Sequence, residues 1–89
     1  MMAKHVHVTG RVQGVSFRAW TRDQAEARGI SGWVQNRPDG SVEAVIAGDD
    51  EMVEALIAAF HRGPASAKVT DVSVSETNAP SKPGFHIIS

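Results

Sequence analysis

The chain has no cysteine among its 89 residues. That excludes disulfides, thiolate catalysis and any cysteine-based zinc or iron–sulfur site. It also leaves the fold to stand on packing alone. A long apolar run is missing too. The longest lies around Leu56 to Phe60, far short of the ~20 residues a membrane span needs. The opening Met1-Met2-Ala3-Lys4-His5 carries no apolar signal-peptide core, so the expected location is the cytoplasm. An excess of charge of either sign is missing: nine Lys and Arg against ten Asp and Glu give a net charge of −1, which argues against a nucleic-acid binder, whose domain usually shows a basic excess. The chain also lacks any linker or repeat that would divide it, so residues 1–89 are expected to form a single domain.

What is present is ordinary globular composition, 42% hydrophobic and 21% charged, with readable periodicity. His5-Val6-His7-Val8-Thr9 alternates as a half-buried strand does. Ser16 is suited to cap a helix beginning at Phe17 and running through Trp20 and Ala27 to Gly29. Gly29 suits the residue after a helix end, with apolar Ile30 following. Strands are expected over 32–36 and 42–46, joined by the turn Pro38-Asp39-Gly40. Asp49 should cap a second helix with acidic residues first and His61 and Arg62 last. Met52, Leu56, Ala59 and Phe60 form its apolar stripe, and Gly63-Pro64 stops it. A fourth strand over 69–74, a surface loop over 77–84 and a short apolar segment over 85–88 complete the chain. The order β-α-β-β-α-β predicts an α+β, ferredoxin-like sandwich, with two helices on one face of an antiparallel sheet. The closing segment is a candidate extra edge strand.

Two segments carry chemistry. Gly10-Arg11-Val12-Gln13-Gly14-Val15-Ser16-Phe17-Arg18 leaves a strand, turns on glycine and opens a helix. Unpartnered N–H groups at a helix start favour an anion. No Gly-Lys-Ser/Thr follows, so this is not a nucleotide-triphosphate loop. Arg18 falls in the first helical turn, where the helix dipole disfavours a cation. It reads either as a solvated side chain pairing with Asp23 or as a phosphate clamp, since guanidinium donors match phosphate oxygens in pairs. The second segment is Gly32-Trp33-Val34-Gln35-Asn36-Arg37-Pro38-Asp39-Gly40-Ser41-Val42. Period two puts Asn36 on the face of Val34. Asn36 reads as a turn cap or as an amide needing partners on a covered face.

Both segments resemble the signatures of the acylphosphatase family. Gly63-Pro64 with Ala67 and Val69, and the closing Phe85-His86-Ile87, agree with that resemblance over nearly the whole chain. It implies a small-molecule acyl phosphate substrate, hydrolysed at the carboxyl–phosphate bond by direct water attack. It also implies a phosphate cradle of Gln13, Gly14, Val15, Ser16, Phe17 and Arg18, with Arg18 and Asn36 catalytic and Asn36 positioning the water. No cofactor, metal, membrane or nucleic acid is called for, and a monomer is expected. Ser16 and the ending Ile87-Ile88-Ser89 depart from the usual family pattern. Alternatives are a non-catalytic anion- or partner-binding module, and an excised acylphosphatase-like domain of a larger carbamoyl-transferring maturation protein. An RNA-recognition module on this fold would want aromatics on the third strand, which has none. His5 and His7 are expected to decorate the open sheet face rather than bind metal. The cluster Asp49-Asp50-Glu51 reads as helix-start electrostatics, and Trp20 and Trp33 as packing residues.

Overall fold

A computed structural model describes residues 2–88. The elements are β1 (Met2–Arg11), α1 (Phe17–Ala27), β2 (Ser31–Asn36), β3 (Val42–Ala47), α2 (Asp50–Arg62), β4 (Lys68–Asn78) and β5 (Phe85–Ile88). They build one five-stranded sheet in the order β4-β1-β3-β2-β5. β3 lies between β1 and β2 and runs antiparallel to both, so β1-α1-β2 is a split βαβ unit. The expected ferredoxin-like α+β architecture is what forms.

Some boundaries differ from the sequence reading. The sheet is not wholly antiparallel, because β5 pairs in parallel with β2, Trp33 opposite His86 and Val34 opposite Ile87. β4 continues to Asn78, so the expected loop over 77–84 begins later. β1 extends past Thr9, because a register shift between Thr9 and Gly10 lets pairing with β4 resume at Val69 and Lys68. Gly10 is required at that bulge. Its φ is +123°, and a Cβ would lie 2.2 Å from the Lys68 carbonyl oxygen. The bulge turns the chain off the sheet into the loop that precedes α1.

The core lies between the helices and one sheet face. Val6, Val8, Val34, Val42, Ala44 and Ile46 from the sheet meet Phe17, Ala25, Val53, Leu56, Ala59 and Phe60 from the helices. Full burial of each large side chain contributes about 1.5–3 kcal/mol. The buried stripe of α2 is Val53, Leu56, Ala59 and Phe60; the last three are as expected, and Val53 replaces Met52, which is only partly buried against the core. Trp20 packs against Phe17 and Phe60, ring centroids 5.3 and 6.2 Å away. Trp33 packs on the other face with Ala3, Val45 and Ala47. α1 ends as its glycine suggests: Ile30 N–H donates to the Ala25 carbonyl (2.9 Å) and Gly29 N–H to that of Glu26 (3.2 Å), the paired closure of a Schellman end. No helix among the described residues is long and apolar enough to cross a membrane.

Candidate active site

The loop between β1 and α1 is anchored at each end. Val12 and Phe17 are buried in the core. Between them the backbone twice turns left-handed, at Gly14 (φ +73°) and Ser16 (φ +61°). Gly14 adopts this freely; Ser16 does so at a cost of about 1–2 kcal/mol. Ser16 holds the N-cap position of α1 but makes no side-chain cap hydrogen bond. The expected serine cap is therefore absent, because a side-chain cap normally needs β-region backbone at that residue. The first turn of α1 also contains no acidic residue. Its N–H groups begin a helix that no side chain closes.

Arg18 is half-buried in that first turn. Among the described residues it makes no ion pair; Asp23 instead lies 3.7 Å from Arg22. Asn36 stands at the end of β2 on the covered side, and its amide makes no hydrogen bond among the described residues. The turn beyond it is closed by other groups. Arg37 N–H donates to the Ser41 carbonyl (2.8 Å) and Gly40 N–H to that of Arg37 (3.1 Å), and the Asp39 carboxylate accepts from Ser41 N–H (2.9 Å). The cap role open to Asn36 is thus filled by Asp39.

Arg18, Asn36, Gly14, Ser16 and Phe17 line one cleft of about 380 Å³. Ala19 and Ile87 complete its wall. Nothing in the sequence marked Ala19, and Ile87 enters only because β5 pairs with β2. Gln13 and Val15 do not line the cleft. Val15 packs against the core. The Gln13 amide donates to the carbonyls of Arg37 and Ser41, each at 2.8 Å.

The carboxylates and imidazoles near the hairpin lie outside the cleft. His5 Nε2 is 2.6 Å from Glu43 Oε2, while Gln35 and Arg37 donate to Glu43 Oε1. The His5 hydrogen bond, helped by those donors against partial desolvation, lowers the Glu43 carboxyl to about 2. The Ser41 hydroxyl and N–H hold Asp39 below its ordinary value. The Ser41 hydroxyl gives its one proton to Asp39, so His7 donates to it from Nε2 at 2.7 Å. The two histidines lie on the open sheet face, as expected, and each is hydrogen-bonded there, His5 to Glu43 and His7 to Ser41. The cleft itself offers one cation, one amide and the start of a helix. Such a set can bind an anion and orient water, and the described residues that line it include no side-chain general base.

Together, the fold and cleft define a small ferredoxin-like protein in which an uncapped helix start, its first-turn arginine and an amide from β2 line one cleft. The acylphosphatase family model matches residues 4–87. An acylphosphatase from Acidiphilium cryptum (strain JF-5) is 48% identical over 85 residues, covering 96% of this chain and 93% of the relative. The crystal structure of acylphosphatase from Bacillus subtilis superposes with a TM-score of 0.93 at 37% identity, covering 100% of both chains. Full-length HypF, solved in a phosphate- and nucleotide-bound form, matches with a TM-score of 0.87 at 27% identity, over 99% of this chain but 12% of HypF. The chain belongs to the acylphosphatase family, whose members are hydrolases acting on acid anhydrides.

Proposed function

We propose that the chain, acting as one domain over residues 1–89, hydrolyses acyl phosphates by in-line attack of water on phosphorus. The P–O bond to the acyl oxygen breaks, releasing carboxylate and inorganic phosphate. The observation that supports this reading is that Arg18 and Asn36, from different elements, line one cleft at the unclosed start of α1. Arg18 and the N–H groups of residues 13–18 hold the phosphoryl oxygens, and the Asn36 amide holds the water. The leaving carboxylate is already a weak base, so little acid catalysis is needed. Phosphoryl transfer through a loose transition state asks chiefly for positioning and charge stabilisation. That matches a cleft without a side-chain base. The reading uses no cofactor and no partner chain, and it takes a monomer in the cytoplasm as the working form. The maturation-protein alternative is not favoured, since the Acidiphilium cryptum relative is matched along 93% of its own length.

Asn36→Ala tests the reading. Water reaches its productive place only as the transition state forms, so kcat and kcat/KM should fall together. A misplacement of ~1 Å can cost ~100-fold, which sets the scale. Inhibition by inorganic phosphate should persist, and a strong chelator should leave wild-type turnover unchanged. A folded Asn36→Ala variant with wild-type kcat removes the water-holding role. Complete loss with chelator and rescue by magnesium removes the mechanism.

A further inference from the structure

We infer that Gln13 is a positioning residue, a clamp that sets Asn36 against the Arg18 loop, and that its side chain is not a phosphate ligand. The inference rests on the proposed roles of Arg18 and Asn36. A glutamine amide has two N–H donors, and both are engaged, one on the Arg37 carbonyl and one on the Ser41 carbonyl, at 2.8 Å each. The orientation of the amide is unambiguous, because a flipped group would set its oxygen against two carbonyl oxygens. What the side chain has left is an acceptor oxygen, which a phosphate repels.

The two carbonyls bracket the β2–β3 turn, and Arg37 directly follows Asn36. The clamp therefore joins residues 24 and 28 positions apart in sequence, one in the loop and the others at the mouth of the hairpin. The Ser41 carbonyl also receives Arg37 N–H. The hairpin thus closes on itself without Gln13, and β1 holds its β3 arm in the sheet, Val8 opposite Val42; what Gln13 adds is a direct tie from the mouth of the hairpin to the loop before α1. Val12 and Phe17 hold the loop to the core from either side. Removing the clamp should let Asn36 drift relative to Arg18 while the Arg18 loop keeps its shape.

Gln13→Met keeps length and removes both donors. We expect kcat to fall ~10- to 100-fold, the scale of a misplaced reactant, with the phosphate inhibition constant within about threefold of wild type. In the Asn36→Ala background the same substitution should lower kcat by less than about threefold, because the group it places is already gone. A merely structural role would lower both backgrounds equally. Wild-type kcat in Gln13→Met, equal losses in the two backgrounds, or a tenfold weaker phosphate inhibition overturns the clamp. Should Gln13→Met not fold, the wild-type protein decides. On titration with inorganic phosphate, backbone amide resonances of residues 14–18 should move while the Gln13 side-chain amide stays in place. A Gln13 side-chain shift as large as theirs makes it a ligand and overturns the inference. Wild-type kcat in Asn36→Ala is a separate outcome, and defeats the water-holding role together with the clamp. Slow Asn36→Ala with fast Gln13→Met defeats the clamp alone.

Discussion

The two helices begin in opposite ways. α2 starts on Asp49, whose backbone is ordinary (φ −59°, ψ 136°) and whose carboxylate accepts from Glu51 N–H at 3.0 Å. Asp50 and Glu51 then place negative charge where the helix dipole is positive. α1 starts on Ser16, left-handed and without a side-chain cap, and follows with an arginine and no acid. One terminus satisfies itself; the other leaves its N–H groups open and puts a cation beside them. A helix start that forgoes a cap typically worth ~1 kcal/mol and carries an unfavourable charge is what the proposed phosphate site requires. Local rules broken together at one place mark a functional site.

The largest break in this comparison should come from Arg18. Lysine keeps the charge but loses the fork of paired donors. Arg18→Lys should lower kcat/KM by ~100-fold or more, the scale of losing a transition-state donor, and weaken phosphate inhibition. Near-normal turnover would return Arg18 to a solvated helix residue. Next comes a transplant: Ser16→Asp gives α1 the carboxylate that α2 already has. Aspartate tolerates left-handed backbone, and beside a helix start it is stabilising by ~0.3–1 kcal/mol. The same carboxylate would repel a phosphate at short range. Phosphate affinity should fall by at least ~10-fold, read by inhibition, while the melting temperature holds or rises. Unchanged phosphate binding would mean that the anion does not sit at this terminus.

Which parts of this were legible in the sequence follows from the range of the interactions. Element order could be read because period-two alternation and Gly/Pro punctuation are local. The Asp49 cap could be read for the same reason. The sequence marks β5 only as a candidate strand, because its parallel partner lies at Gly32 to Gln35, some fifty residues upstream. The left-handed Ser16 inverted a sound preference: serine is a good N-cap only in backbone that lets its oxygen reach the next N–H groups. The partners of the Gln13 side chain lie 24 and 28 positions away, and a sequence does not reveal which carbonyls an amide will find. Period two gives the face of His5 but not its partner Glu43. The register sets Val45 opposite it, and Glu43 is reached on the diagonal, a neighbour a long side chain can contact.

A smaller effect should come from the closed terminus. Asp49→Ala removes the acceptor of Glu51 N–H and should cost ~1 kcal/mol, read from the midpoint of urea unfolding. Asp49 does not line the cleft, so kcat and phosphate inhibition should stay within about twofold. If Asp49→Ala damages turnover as Arg18→Lys does, the two helix starts are not functionally distinct, and the contrast between them loses its meaning.

The smallest effect, and the sharpest in sign, comes from putting glycine at both caps. At Ser16 the left-handed backbone costs a non-glycine residue about 1–2 kcal/mol, and the serine hydroxyl returns no cap hydrogen bond. Glycine removes that strain but gives the unfolded chain more freedom, at about 0.5–1 kcal/mol. The two nearly cancel, and the balance should favour Ser16→Gly by roughly 0.5 kcal/mol. At Asp49, φ is −59°, so there is no strain to relieve. Glycine there loses the carboxylate cap, which costs a few tenths of a kcal/mol, and Asp49→Gly should be slightly destabilised. Matched urea titrations of the two variants read the signs directly. Glycine keeps the residue-16 N–H of the proposed cradle, and Asp49 does not line the cleft, so turnover should be near wild type in both. Destabilisation by Ser16→Gly would show that the serine hydroxyl supports the loop in solution, and that the start of α1 is less open than its geometry indicates.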